Sequence, residues 1–220
     1  MDEASLREEL CRVARSLHAR GYVHGTTGNV SARLVDGVLI SATDACLGEL
    51  TPDALVKVDG SGAVIGAGRP SKTLALHRRI YAASAEAGCV IHTHSRHLVA
   101  ASLAIPSGED RDDLLPPITP YFVMKVGHVP LVAYRRPGDP RVADRVAEAI
   151  AAAARRGAPI RAVMLARLGP NVWHETPAAA TAVLEELEET AGLWLAAAPK
   201  PEPLSGEQID ELRRHFGARW

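Results

Sequence analysis

Apolar residues at Leu6, Leu10, Val13, Ala14 and Leu17 recur at intervals of three and four, the spacing of one helix face, and predict an amphipathic helix from about Ala4 to Arg20. Gly21 and Gly25 break it. Short β-prone runs follow at Gly37 to Ser41, Leu55 to Val58 and Ala63 to Ile65. Pro70-Ser71 opens a second helix through Leu74, Ile80 and Ala83, with Ser71 in its N-cap region. Gly88 to His92 is apolar and β-prone, and delivers its last residues to a strand end. Two strand-like runs flank Gly127 between Tyr121 and Tyr134. Asp139-Pro140 reads as a cap followed by a proline at the first helical position, and Gly157 stops that helix. Ile160 to Leu165 is a buried strand, and Thr176-Pro177 starts a long helix through Leu184, Leu187, Ala191 and Trp194. Pro199, Pro201 and Pro203 form a stiff linker. Beyond them Ser205 and Gln208 make a capping box for a last helix carrying Ile209, Leu212 and Phe216. One core and no internal repeat, with helices and short strands interspersed, imply a layered α/β domain.

Composition narrows the partners. A chain of 220 residues with 47% hydrophobic and 23% charged residues suffices for one such domain. A formal charge of -1 supplies no global field toward nucleic acid or an anionic membrane. No apolar run reaches the roughly eighteen residues of a membrane span. The N-terminus, MDEASLREELCR, is acidic and amphipathic, unlike a signal peptide. Cys11, Cys46 and Cys89 are odd in number and lack CxxC spacing, so they suggest neither a disulfide frame nor a thiolate metal site. The expected compartment is the cytoplasm, with no nucleic-acid or membrane partner.

Four segments could carry chemistry. His24-Gly25-Thr26-Thr27-Gly28-Asn29 is a small, polar loop that either holds an anion on backbone N–H groups or is an ordinary glycine turn. Ser41-Ala42-Thr43-Asp44 ends a strand and reads equally as an Asx turn. Pro70-Ser71-Lys72 opens a helix, where an anion is favoured, although simple capping explains it too. His92-Thr93-His94 follows a β-prone run, and residues i and i+2 of an extended chain share a face. Two imidazoles so placed are a natural pair of zinc ligands, in a chain whose nine histidines also make a chance pair unsurprising.

In order, HGTTGNVSARL, LISATDACLGEL, PSKTLALH, VIHTHSRHLVAASL, ITPYFVMKVGHVPLV and ARLGP resemble the class II aldolase/adducin family from the first helix to about Ala198. The stretch LPPITPYFVMKVGHVPLVAYRRPGDP most resembles the branch that decarboxylates 3-oxo-tetronate 4-phosphates. The resemblance implies a three-layer α/β/α sandwich around a mostly antiparallel sheet over residues 1–198. Residues 199–220 would then be a linker and short helix on the same domain or a neighbouring subunit. It also implies a homotetramer with active sites between subunits and a small-molecule substrate. In such a site, Zn2+ or a similar divalent metal on three histidines acts as Lewis acid for an enediolate, and a glutamate moves the proton. The substrate phosphate would rest on the Gly28-Asn29, Thr43 and Ser71 segments.

This chain departs from that pattern at three positions. The first two metal histidines match His92 and His94, but the third, normally in an Asn-His-Gly-Pro motif, falls on Leu168 of Arg167-Leu168-Gly169-Pro170. The glutamate position is Thr73, whose hydroxyl is no general base. Asp44 stands where the phosphate loop usually has glycine, and its carboxylate repels a phosphate. The metal is therefore expected to be weak or absent unless His174 or His128 stands in, and both read equally as solvated histidines. Lys72 and Arg167 are alternative sources of fixed positive charge. His77, one helical turn past Thr73, is either a proton carrier on the same face or a packing residue. His24 and His97 read as structural. Two functions fit: a carbon–carbon lyase of altered specificity on a small oxygenated acid or ketone, or an inactive homologue kept as a binding or scaffolding subunit.

Overall fold

A computed structural model describes residues 2–106 and 108–220. Its first helix, α1 (Glu3–Ala19), buries Leu10, Val13, Ala14 and Leu17 and is capped by the Asp2 side chain, which accepts from Ser5 N–H. Strands β1 (Asn29–Arg33), β2 (Gly37–Ser41), β3 (Leu55–Asp59) and β4 (Val64–Ile65) form an antiparallel meander. Helix α2 (Leu74–Ala83) leads into β5 (Cys89–His92), followed by α3 (Arg96–Leu103). After β6 (Leu131–Val132) come α4 (Arg141–Arg155), β7 (Ala162–Leu165), β8 (Gly169–His174), α5 (Pro177–Ala196) and α6 (Gly206–Phe216). The eight strands make one sheet in the order β4-β3-β2-β1-β5-β8-β7-β6, antiparallel at every junction except β6–β7.

Alternation along the central strands makes the layers. Cys89 and Ile91 of β5 and Val172 of β8 face the core shared with α1, α3 and α5. Val90 and Trp173 face the other core, which α2 and α4 cover. This is the expected α/β/α sandwich, and β5 is buried at all four positions because helices cover both of its faces. His92, two residues past Val90, lies on the α2/α4 side.

Several local expectations need correction. The first run beside Gly127 is a wide helical turn, Phe122–Val126, not a strand. Phe122 and Val126, four apart, pack on the main core, and Gly127 ends the turn at φ 80°. Helix α2 starts at Leu74, three residues later than Pro70-Ser71 suggests, because Ser71 Oγ binds Thr73 Oγ1 at 3.0 Å in a turn ahead of the helix. Strands β1 and β8 and helix α3 lacked a strong pattern in the sequence. They are short, of five, six and eight residues, so no sustained periodic run marks them. The Ser205–Gln208 capping box forms in full, and α6 packs through Ile209 on Val123 of the same chain.

Candidate active site

The ends of β1, β2 and β5, the turn before α2 and the loop before α4 converge on a cavity of about 510 Å³. Gly28 cannot be larger: its φ is 79°, and a Cβ there would lie 2.5 Å from Val23 and 2.9 Å from the His92 carbonyl oxygen. That close approach sets the loop directly on the strand that carries the histidines. Asn29 pairs across the sheet with His92, and both side chains line the cavity.

Burial and one hydrogen bond fix the chemistry of His92. Its Nδ1 lies 2.9 Å from the Pro170 carbonyl oxygen, which only accepts, so Nδ1 carries the proton and Nε2 keeps its lone pair. Burial, then the neighbouring His94, lowers its pKa to about 4. His94 also lines the cavity, its ring centroid 5.2 Å from that of His92, and burial followed by His24 lowers its pKa. His24, expected to be structural, thus stands beside the pair, 6.4 Å from His94.

Thr43, Asp44, Ser71, Lys72 and Thr73 also line the cavity, as does Leu168. The backbone N–H groups of Thr43 and Ser71 already donate to Arg69 O and Ser41 O, so these two residues offer a ligand their side chains instead. Asp44 adopts φ 59°, a left-handed conformation that suits glycine and that Asp tolerates better than most residues. Its exposed carboxylate lies 3.7 Å from Arg69, which moderates the repulsion expected of it.

His77 is not on the cavity wall. Thr73 is the residue before α2 and has non-helical backbone angles, so the helical rule that pairs side chains four apart does not carry Thr73 and His77 to one face. His77 is fully buried, with Nδ1 2.7 Å from Ser31 Oγ, and burial lowers its pKa to about 3. Ser31 Oγ also lies 2.7 Å from Tyr81 OH, making a polar cluster beneath the cavity that sequence reasoning missed. Arg136 is the other missed residue. It lines the cavity from the loop between β6 and α4, and only tertiary structure brings that loop there.

A family model described as "Class II Aldolase and Adducin N-terminal domain" matches residues 8–195. The chain belongs to the class II aldolase and adducin family. It is 51% identical to a 3-oxo-tetronate 4-phosphate decarboxylase of Cupriavidus necator, over 99% of each chain. It is 40% identical to the Escherichia coli K12 protein of the same name, over 96% of each. The crystal structure of YgbL from Escherichia coli superposes with a TM-score of 0.86 at 39% identity, covering 96% of this chain and 99% of that one.

Class II aldolases imply a divalent metal, and the donors present do not fit a three-histidine centre. Leu168, the residue expected at the third position, lines the cavity with an apolar side chain. Among the described residues no group of three His, Cys, Asp or Glu side chains is disposed to hold an ion. Neither substitute histidine reaches the site. His128 Nδ1 is held by Asp113 at 2.8 Å, and its ring stacks on Trp220. His174 pairs with Cys89, at the opposite end of β5 from His92. Arg167, the other candidate cation, is exposed at φ 65° and does not line the cavity.

Proposed function

We propose that this chain is a lyase that decarboxylates a small oxygenated 3-oxo acid, in a site no longer built around a three-histidine zinc centre. The observation carrying this reading is the charge balance of the cavity. Its two carboxylates have cationic partners, Asp44 with Arg69 at 3.7 Å and Asp139 with Arg141 at 2.7 Å. Its two cations, Lys72 and Arg136, have no carboxylate within ion-pair distance among the described residues. The cavity therefore favours an anion.

Among the reactions of this family, decarboxylation depends least on what has been lost. Retro-aldol cleavage must first remove a hydroxyl proton, which needs a base, and Thr73 supplies none. A 3-oxo acid loses CO2 without prior proton removal: the C1–C2 bond breaks and its electron pair moves onto the ketone oxygen. The Lys72 ammonium supplies positive charge for that oxygen. Neutral His92 accepts a substrate hydroxyl through Nε2, and the proton that replaces CO2 on carbon enters through the exposed mouth. Gly28, Asn29, Thr43 and Ser71 hold the end of the substrate distant from the scissile bond, where the decarboxylases named above have a phosphate. We assign the chain to a homotetramer, as expected of its family.

The decisive measurement is CO2 release from 3-oxo-tetronate 4-phosphate after dialysis against chelator. Turnover that survives chelation and falls at least a hundredfold in Lys72→Ala is expected. No release above the spontaneous rate, with or without added zinc, refutes the enzyme. Thr73 and Leu168 favour the second reading, a non-catalytic binding subunit, and tight ligand binding without turnover is its signature.

A further inference from the structure

Resting on the proposed decarboxylation, we infer that Arg136 is the specificity-determining residue of the site and binds the carboxylate of the substrate. Arg136-Pro137-Gly138-Asp139 is a tight turn in which Asp139 N–H donates to Arg136 O at 3.1 Å. Proline at the second position and glycine at the third, with φ 79°, are the signature of a type II turn. The nearest acid in the turn is unavailable to Arg136. Asp139 accepts from Arg141 N and Nε, both at 3.0 Å, and from Arg141 Nη2 at 2.7 Å. The turn is thus anchored to the start of α4 by a carboxylate already engaged, and it presents Arg136 to the cavity with no ion-pair partner of its own among the described residues.

Strand order separates the element preceding this cation from those that carry the other polar groups. Asn29 lies on β1, Thr43 follows β2 and Ser71 precedes α2, whereas Arg136 follows β6 at the far edge of the sheet. In that order β5, which ends at His92, lies between β1 and β2 on one side and β6 on the other. A ligand bridging Arg136 and those polar groups needs an anionic group at each end with oxygen functions between. A 3-oxo-tetronate 4-phosphate has that form, with a carboxylate at C1 and a phosphate at C4. A ketose 1-phosphate, the aldolase type of substrate, has no carboxylate for Arg136. The guanidinium suits the planar carboxylate, with two parallel donors for two oxygens. Its exposure keeps the pair weak enough that losing CO2 from it is not strongly opposed.

Calorimetry with two inert probes tests this: 4-phosphoerythronate, which has both anionic groups, and erythritol 4-phosphate, which lacks the carboxylate. The unaltered protein should bind the first about tenfold or more tightly than the second, the range of one charge-assisted contact. Arg136→Ala and Arg136→Gln should abolish that preference while leaving erythritol 4-phosphate affinity within twofold. Arg136→Lys should retain part of it. A merely structural role would weaken both probes alike and lower the thermal midpoint, and that pattern overturns the assignment. A preference unchanged in Arg136→Ala overturns it and leaves the decarboxylase reading standing. If neither probe binds the unaltered protein, both fall.

Discussion

At Thr73 and Leu168, the positions expected from the family pattern to hold a base and a metal ligand, the cavity wall carries a short hydroxyl and an apolar side chain. Gly169 stays pressed on Thr93, where a Cβ would come within 1.9 Å of the carbonyl oxygen, so the loop bearing Leu168 remains tied to the strand bearing His92. Leu168→His should therefore bring a third imidazole to a preformed pair. Metal analysis after dialysis should find well under one zinc per chain in the unaltered protein and about one per chain in the variant, since a third ligand converts transient into structural binding. Stoichiometric zinc already present in the unaltered protein would sink this reading of the donor set.

Helix α2 holds its place through a buried polar contact as well as apolar packing, because His77 reaches Ser31 of β1 in the core. A histidine buried as the neutral form binds its proton less readily folded than unfolded. Its stabilisation is whole above the ordinary imidazole pKa near 6.5. It is lost progressively as pH falls toward the folded value of about 3. Over that window His77 makes the protein lose about 1.4 kcal/mol per pH unit. Urea unfolding of His77→Leu beside the unaltered protein at pH 7, 6 and 5 isolates the contribution: the variant should show the shallower acid dependence, whatever its absolute stability. Parallel curves would contradict it.

Taken whole, the molecule leaves some large apolar side chains in solvent. Phe216 of α6 is 64% exposed, and Tyr121, which precedes the wide helical turn onto which Trp220 folds back, is 60% exposed. Such surface suits a subunit boundary. Light scattering at micromolar concentration should give four chains per particle, and Phe216→Ser should shift that distribution toward smaller species. A monomer would contradict the assembly and weaken the case for a site shared between subunits.

The sequence by itself determined the helices with a clear 3.6-residue period, the apolar core strands and the caps at Thr176 and Ser205, because these signals are local and repeat within one element. It also singled out nine polar or small residues that meet at the cavity wall: Gly28, Asn29, Thr43, Asp44, Ser71, Lys72, Thr73, His92 and His94. Tertiary structure alone decided the rest. Burial sent His77 into the core and set the tautomer of His92 through a carbonyl 78 residues away in the chain. A turn remote in sequence from the histidines and from the Gly28, Thr43 and Ser71 segments brought Arg136 to the cavity, and Asp44 found its counter-charge in Arg69. Each of these depends on which atoms lie within a few ångströms of one another, a distance that chain spacing encodes only within a single element.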